Sequence, residues 1–408
     1  MSWKSKSLGE LCDSANGVIQ TGPFGSQLKQ SEYIDDKAGT PVVMPKDIKA
    51  GTVDESEIAR ISEAKANALS RHMLSAGDIV FPRRGEISKR AYIKEGSKYF
   101  CGTGCLKIHI PDADVLNKFL FYYLDQEHVV KWLEGRAIGS TMLNLNTSIM
   151  RSVQVKYPDI KTQEWIVNTL SAYDDLIENN KRRITLLEES ARQLYKEWFV
   201  RFRFPGHEHV KIVDGVPEGW ELVTLGDVAV TNASSHKAKR LPEELNYIDI
   251  ASVSKGNIEE KKSMIAADAP GRARRIAQHG DIIWSNVRPN LKAYALVLRP
   301  VENDVFSTGF TVITAERVPF TYLYQFVTTD AFVAYLVNHA TGVGYPAVRP
   351  ADFERAPFLL PKTELTDQFH DTCKASYEQI HRLGEQNKQL AKARDLLLPK
   401  LMSGELAV

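Results

Sequence analysis

An apolar residue recurs at alternating steps of four and three along one stretch of this chain: Ile166, Leu170, Tyr173, Ile177, Asn180, Ile184, Leu187, Ala191, Leu194 and Trp198. This period of 3.5, interrupted only by Asn180 and the small Ala191, predicts a long coiled-coil helix. Thr162 is the expected N-cap, with Glu164 in the first turn, Arg201 and Arg203 at the far end and Pro205-Gly206 as the stop. At about 1.5 Å per residue the roughly 40 residues make a rod on the order of 60 Å long. Such a stripe needs a partner, and the chain supplies one. An offset of 203 carries the seam onto Phe369, Cys373, Ser376, Ile380, Leu383, Asn387, Leu390, Arg394, Leu397 and Leu401, ahead of Ser403-Gly404. An antiparallel pair is the simpler connection and fixes a register in which facing positions total 567. Ile166 then meets Leu401, Ile177 meets Leu390, Ile184 meets Leu383, Leu187 meets Ile380, Ala191 meets Ser376 and Trp198 meets Phe369. Asn180 meets Asn387, a polar pair that costs stability but penalises slipped registers. Two ordinary amphipathic helices on separate domains are the alternative, which two matching seams disfavour.

The same offset recurs outside the helices. Gly77-Asp78-Ile79-Val80-Phe81 returns as Gly280-Asp281-Ile282-Ile283-Trp284, Phe119-Leu120-Phe121-Tyr122 as Tyr322-Leu323-Tyr324-Gln325, Gly139 as Gly342 and Pro158 as Pro361. Leu8-Gly9-Glu10 matches Leu225-Gly226-Asp227 at a shift of 217, so the second half has a longer lead-in. The chain reads as an internal duplication of class α+β: two similar mixed α/β domains, residues 1–158 and 205–361, and two long antiparallel coiled-coil helices, residues 159–204 and 362–408. Residues 40–44, 78–81 and 106–110 are expected as strands in the first domain, with helices over 57–74 and 115–134. In the second, strands are expected over 247–250, 281–284, 294–298 and 309–314, and a helix over 319–339.

With 408 residues, 43% of them hydrophobic and 25% charged, each domain can bury a core. No run of about 18 apolar residues exists, residues 1–8 lack an apolar signal core, and Cys12, Cys101, Cys105 and Cys373 are scattered. A cytoplasmic, reduced protein without membrane contact is the expectation. A formal net charge of +1 argues against a uniformly basic nucleic-acid binder. Residues 1–158 hold 21 Lys/Arg against 18 Asp/Glu and residues 205–361 hold 16 against 18, so any DNA contact must come from local clusters.

No catalytic constellation is present. The sequence has no glycine-rich run ending in Gly-Lys-Ser/Thr and no Asn/Asp-Pro-Pro-aromatic stretch for presenting a base amine to a methyl donor. Cys101 and Cys105 have no second ligand pair at zinc spacing, and His207 and His209 read as decoration of the loop after the rod. Each half does contain loops mixing glycine, hydroxyl, amide and basic residues, types that suit phosphates and base edges. The candidate DNA contacts in the first half are Thr21, Gly22, Phe24, Ser26, Gln27 and Lys29; Arg83, Arg84, Lys89 and Arg90 directly after the Gly-Asp strand; and Ser140, Thr141 and Asn144. In the second half they are Lys237, Lys239 and Arg240; Ser285, Asn286, Arg288, Asn290 and Lys292 after the equivalent strand; and Tyr345 and Arg349. Plain surface turns and a solvated charge run are the competing readings. Divergent loops on a shared scaffold imply two different half-sites.

With these features in place, the chain resembles the specificity subunit of type I restriction-modification systems over essentially its whole length. The resemblance rests on Gly22-Pro23-Phe24-Gly25-Ser26, on Gly139-Ser140-Thr141 followed by Asn144-Leu145-Asn146, on the first rod, and above all on the ending from Arg394-Asp395-Leu396-Leu397-Leu398-Pro399-Lys400 to Leu401-Met402-Ser403-Gly404-Glu405-Leu406. Tyr345-Pro346-Ala347 replaces Asn-Leu-Asn in the second copy, so the two loops are not expected to make identical contacts. The resemblance implies two target recognition domains, each docking on one half of a split, asymmetric site in double-stranded DNA, with the helices setting the unread spacer. It also implies two adenine methyltransferase subunits carrying S-adenosylmethionine and two restriction/motor subunits using ATP and Mg. This chain would then carry no cofactor and no catalysis. A coiled-coil protein-interaction scaffold without DNA specificity is the alternative.

Overall fold

The computed structural model describes residues 3–406 except 112–113, 138–143, 238–239 and 343. The first long helix runs Ile160–Tyr195 and finishes in a π-helical turn, Lys196–Val200; the second runs Thr363–Ser403. Asp159, not Thr162, opens the first helix. Its Oδ1 accepts from the Thr162 backbone N–H at 3.1 Å, because an aspartate three residues earlier reaches the same orphan donor. Gly206, at φ 81°, lies in the left-handed region just past the end.

None of the twenty seam positions is exposed. Three leucines off the seam behave oppositely, Leu176, Leu186 and Leu396 being 43%, 63% and 61% exposed, while Leu398 is dried by the globular core instead. Periodicity rather than apolar content therefore decides which side chains are dried.

The chain divides into two compact units, Met1–Glu178 with Lys388–Val408, and Asn179–Asn387. Each contains one globular part and a piece of each long helix. In the first unit Ile166 and Leu170 share a core with Leu398, Leu401 and Met402, and with Phe119 and Leu120 of the globular part. Asp174 is held from two sides there, by Arg394 Nη1 and by the Tyr122 hydroxyl, each at 2.6 Å. In the second unit Asn180 Nδ2 donates to Asn387 Oδ1 at 3.0 Å, and the rings of Trp198 and Phe369 meet at 6.0 Å. Rising numbers on one helix against falling numbers on the other make this pair antiparallel, in the register expected from the seam. Ala191, Tyr195 and Phe199 pack with Phe369, Cys373 and Tyr377 against Tyr322 and Leu323. Gln325 Nε2 donates to the Tyr377 hydroxyl at 2.7 Å. The contacts Tyr122–Asp174 and Gln325–Tyr377 are related by the 203-residue offset, so each globular part grips the helix that follows it.

The globular parts share one strand plan. A four-stranded sheet orders Ala91–Tyr92, Ile79–Pro82, Cys105–His109 and Val18–Thr21 in the first unit; Tyr294–Leu296, Ile282–Ser285, Phe310–Ala315 and Ala229–Thr231 repeat it in the second. A second sheet in each is built on a parallel pair, Thr40–Val43 with Tyr99–Cys101 and Glu244–Ile248 with Asp304–Ser307. Gly77 and Gly280, at φ 89° and 92°, make the same left-handed turn into the buried central strand, which a residue bearing Cβ would strain. Asp78 and Asp281 brace these turns by accepting from the Ser75 and Gln278 backbone N–H groups at 2.9 and 2.7 Å. Capping boxes, Ser7 with Glu10 and Thr224 with Asp227, explain the Leu-Gly-acid match between the halves.

Three expected elements differ. The single helix expected over 115–134 is two, Asn117–Tyr123 and Glu127–Arg136, and that over 319–339 is Phe320–Val327 and Asp330–His339. Thr329 recaps the chain by accepting from the Phe332 N–H at 3.2 Å, a local bond that competes with helix continuation. The stretch 57–74 is α-helical at Glu63–Ala68 and makes a 3-10 turn at Ser70–His72; buried Ile61 belongs to the strand Arg60–Ile61, and Met73–Leu74 is a further strand.

Asn387→Ala should leave the amide of Asn180, only 1% exposed, without its partner. The expected loss is about 1–3 kcal/mol in a urea melt. Replacing both asparagines by leucine should be neutral or stabilising in the same measurement.

Candidate nucleic-acid interface

Gly22 fixes the first reading loop. It follows the strand Val18–Thr21, donates from its N–H to Cys105 O at 2.8 Å, and lies so close to the neighbouring turn that a Cβ would fall 1.9 Å from Gly102 O. The chain beyond it turns tightly, Gln27 and Leu28 donating to Phe24 O at 2.8 and 3.1 Å. Phe24 is left 61% exposed with the Arg83 guanidinium 5.9 Å from its ring centre. Arg71 Nη2 reaches Gln27 Oε1 at 3.4 Å. Ser26 and Lys29 are exposed beside them, and Thr21 is half-buried at the strand end.

The loop after the central strand crosses a third segment in both units, at equivalent positions. Arg84 bridges Asn144 in the first unit and Val287 bridges Ala347 in the second, so Ala347-Val348-Arg349, rather than the expected Tyr345-Pro346-Ala347, stands in the place of Asn144-Leu145-Asn146. Leu145 N–H donates to Arg83 O, and Val348 N–H to Asn286 O, both at 2.8 Å. Arg83 N–H to Gly104 O, at 2.7 Å, and Asn286 N–H to Gly309 O, at 2.8 Å, complete the correspondence. With its amide turned to satisfy both bonds, Asn144 Nδ2 donates to Arg83 O and Leu145 O at 3.2 Å. The backbone frame is therefore common, and only the side chains it presents differ.

In the second unit Arg288 occupies the left-handed region at φ 50°, its N–H donating to Pro346 O at 2.7 Å. Its guanidinium lies 4.3 Å from the ring centre of Tyr345, which is 71% exposed, and Nη2 reaches Gly344 O at 3.4 Å. Asn290 and Arg349 are exposed. Lys237 and Arg240 are exposed on the loop laid against the strand Ala273–Arg275.

Other candidates are buried, bonded internally, already paired or outside the described residues. Arg90 is 6% exposed; it pairs with Asp125, donates through Nε to Phe121 O at 3.2 Å and through Nη1 to Ser88 O at 3.0 Å. Burial brings its pKa down to about 9. Arg90 thus ties the helical layer to the strand loop. Ser285 is fully buried and donates its hydroxyl to Val287 O at 2.9 Å. The amide of Asn286 is spent internally, its Oδ1 accepting from Thr311 Oγ1 at 2.6 Å. Lys89 and Lys292 are exposed or partly so, but already paired with Glu86 and, at 2.7 Å, with Asp330. Ser140, Thr141 and Lys239 lie outside the described residues. Cys101 and Cys105 are buried thiols whose pKa values burial raises.

Four arginines that no motif singled out also lie on these faces: Arg71 beside Gln27, and Arg272, Arg274 and Arg275 beside the Lys237 loop. The last three form a run of three cations in four residues, a visible signal. Arg71 carried none, since only folding brings it to Gln27.

Residues 1–189 match the family model described as type I restriction modification DNA specificity domain. The MjaIX type I restriction enzyme specificity subunit of Methanocaldococcus jannaschii is 26% identical, the match covering 100% of this chain and 94% of that protein. The HindI specificity subunit of Haemophilus influenzae is 21% identical, with 86% and 90% covered. Among solved structures, the S subunit of a type I restriction-modification system from M. genitalium matches with a TM-score of 0.59 at 16% identity, over 98% of this chain and 96% of that one; it shares the fold.

His72 carries a pH dependence within the first face. Arg71 Nε donates to its Nε2 at 3.0 Å, and burial, then Arg71 and Lys107, lower its pKa from 6.5 to about 4. Because the folded value lies below the unfolded one, the stability gained by a neutral ring is present above about pH 6.5 and is lost as pH falls towards 4. His72→Gln, which does not titrate, should lose less melting temperature than the natural protein between these pH values, as read by thermal unfolding.

Proposed function

We infer the function of this chain from one premise: it belongs to the type I restriction modification specificity family, whose DNA specificity domain its residues 1–189 match. Its role is that of the DNA sequence-specificity subunit of a type I restriction-modification system, acting with DNA and partner subunits. Beyond that role, the chain itself performs no catalysis. Each unit reads one half of a split, asymmetric target, and the paired helices set the unread spacer and dock two methyltransferase subunits. Methyl transfer from S-adenosylmethionine then belongs to those subunits, and ATP- and Mg-dependent restriction to two others.

One observation carries the two-half reading. The same loop crossing occurs in both units, yet the side chains it leaves open are Arg83 and Arg84 in one and Arg288 with Tyr345 in the other. A common frame with unlike side chains supports docking on two chemically different half-sites. Arginine and asparagine distinguish guanine and adenine in the major groove through paired hydrogen bonds.

The test is to assemble the chain with its methyltransferase partner and map methylated adenines on random duplex DNA. The expected result is a single bipartite sequence with a fixed gap. Methylation without sequence preference, or no sequence-dependent binding at all, would favour a protein scaffold. Arg288→Ala should relax recognition in one half-site only, by about 1–3 kcal/mol at the affected base pair, as measured by competition binding. Equal weakening on every sequence would make Arg288 a phosphate contact.

A further inference from the structure

The strand Ala273–Arg275 is the edge of its sheet, paired on one side with Asp304–Ser307. Its register slips between Ala273 and Arg275, a bulge of the kind that re-aims side chains at sheet edges. Arg272 is exposed, and Arg274 and Arg275 are half-buried. On the open side lies the loop that follows the strand Ala229–Thr231. His236 N–H donates to Arg274 O at 2.7 Å, Ile276 N–H to Ser234 O at 3.2 Å, and Arg275 Nη1 to Ser235 Oγ at 3.0 Å. That loop leads from His236 into Lys237, whose carbonyl accepts from the Arg240 N–H at 2.9 Å.

Five cations thus share one edge, and among the described residues none of them makes an ion pair with a carboxylate. Three lysines elsewhere on the second unit are neutralised: Lys261 by Asp304 at 2.5 Å, Lys262 by Asp249 at 2.7 Å and Lys292 by Asp330 at 2.7 Å. In a chain whose charges nearly cancel, at +1 overall, five unmatched cations on one bulged strand and its loop are a concentrated positive field. The edge is also joined to the reading loops. Thr308 N–H donates to Arg272 O at 2.8 Å, and Thr308 O accepts from Asn286 Nδ2 at 3.5 Å, two residues before Arg288. In the first unit the corresponding edge strand, Met73–Leu74, contains no cation, and Arg71 just before it is the single arginine there where the second unit has three.

We propose that the edge strand Ala273–Arg275, with Lys237 and Arg240, is a phosphate-gripping surface that holds the backbone of double-stranded DNA while the adjoining loops address base edges. The proposal rests on the DNA-specificity reading of this chain and adds a division of labour within the second unit. The arginines supply affinity on any sequence; the Arg288–Tyr345 loop supplies choice.

The test uses the full chain assembled with its methyltransferase partner and fluorescent duplexes with and without the mapped target, titrated over a salt series. Arg272→Gln and Arg274→Gln should each lower the slope of log affinity against log salt by about 0.9, equally on both duplexes, with the ratio between duplexes unchanged. Arg274→Lys, which keeps the charge, should retain the slope. Lys98→Gln, removing a cation already paired with Glu63 at 2.8 Å in the first unit, should change neither. Slopes and affinities equal to those of the natural complex in both Gln variants would overturn the proposal. So would a loss confined to the target duplex, which marks a base contact. Should the natural complex bind both duplexes equally, the specificity reading fails, and the slopes still decide the edge.

Discussion

A stripe of apolar side chains repeating every 3.5 residues can be dried only by a second stripe of the same period, and here both belong to one polypeptide. That constraint organises everything else. Each unit completes its core with a piece of both helices, so Ile166 and Leu401, far apart in sequence, are interior residues of one cluster. Shape and period alone would tolerate a slip along the seam. The hydrogen bond between Asn180 and Asn387 would not, because a slipped register leaves two amides facing hydrocarbon.

Duplication imposes a second discipline. The offset that maps one seam onto the other also maps Tyr122–Asp174 onto Gln325–Tyr377, keeping a polar grip between globular part and following helix while changing its chemistry. The loop crossing behaves in the same way: backbone bonds repeat at 2.8 Å while Arg83 becomes Asn286 and Asn144 becomes Ala347. A frame maintained by main-chain hydrogen bonds leaves its side chains free to diverge.

Much of the fold was legible because it is periodic. The rods, their register and the Gly-Asp turns follow from spacing alone, since the same spacing decides what is buried. The failures have local causes. A helix-long pattern over 115–134 hid a break at Gln126, where backbone geometry rather than hydrophobicity interrupts the helix, and Asp159 outcompeted Thr162 for the first cap. Site residues were harder to read. Composition could not distinguish Arg84, exposed at the crossing, from Arg90 six residues later, sunk against Phe121 with Asp125 for company. Which arginine faces solvent depends on the strand register, and the register is set by contacts distant in sequence.

The bulged strand Ala273–Arg275 also matters to the protein before it meets any partner. A regular sheet edge offers free N–H and C=O groups to whatever strand drifts past, and two copies of a protein can fuse along such borders. Here the loop over 234–236 already takes the outward main-chain groups, and the arginines crowded onto the kinked border make self-adhesion more unfavourable still, because two like-charged edges repel. The feature that would welcome a polyanion therefore also turns away the molecule's own twin.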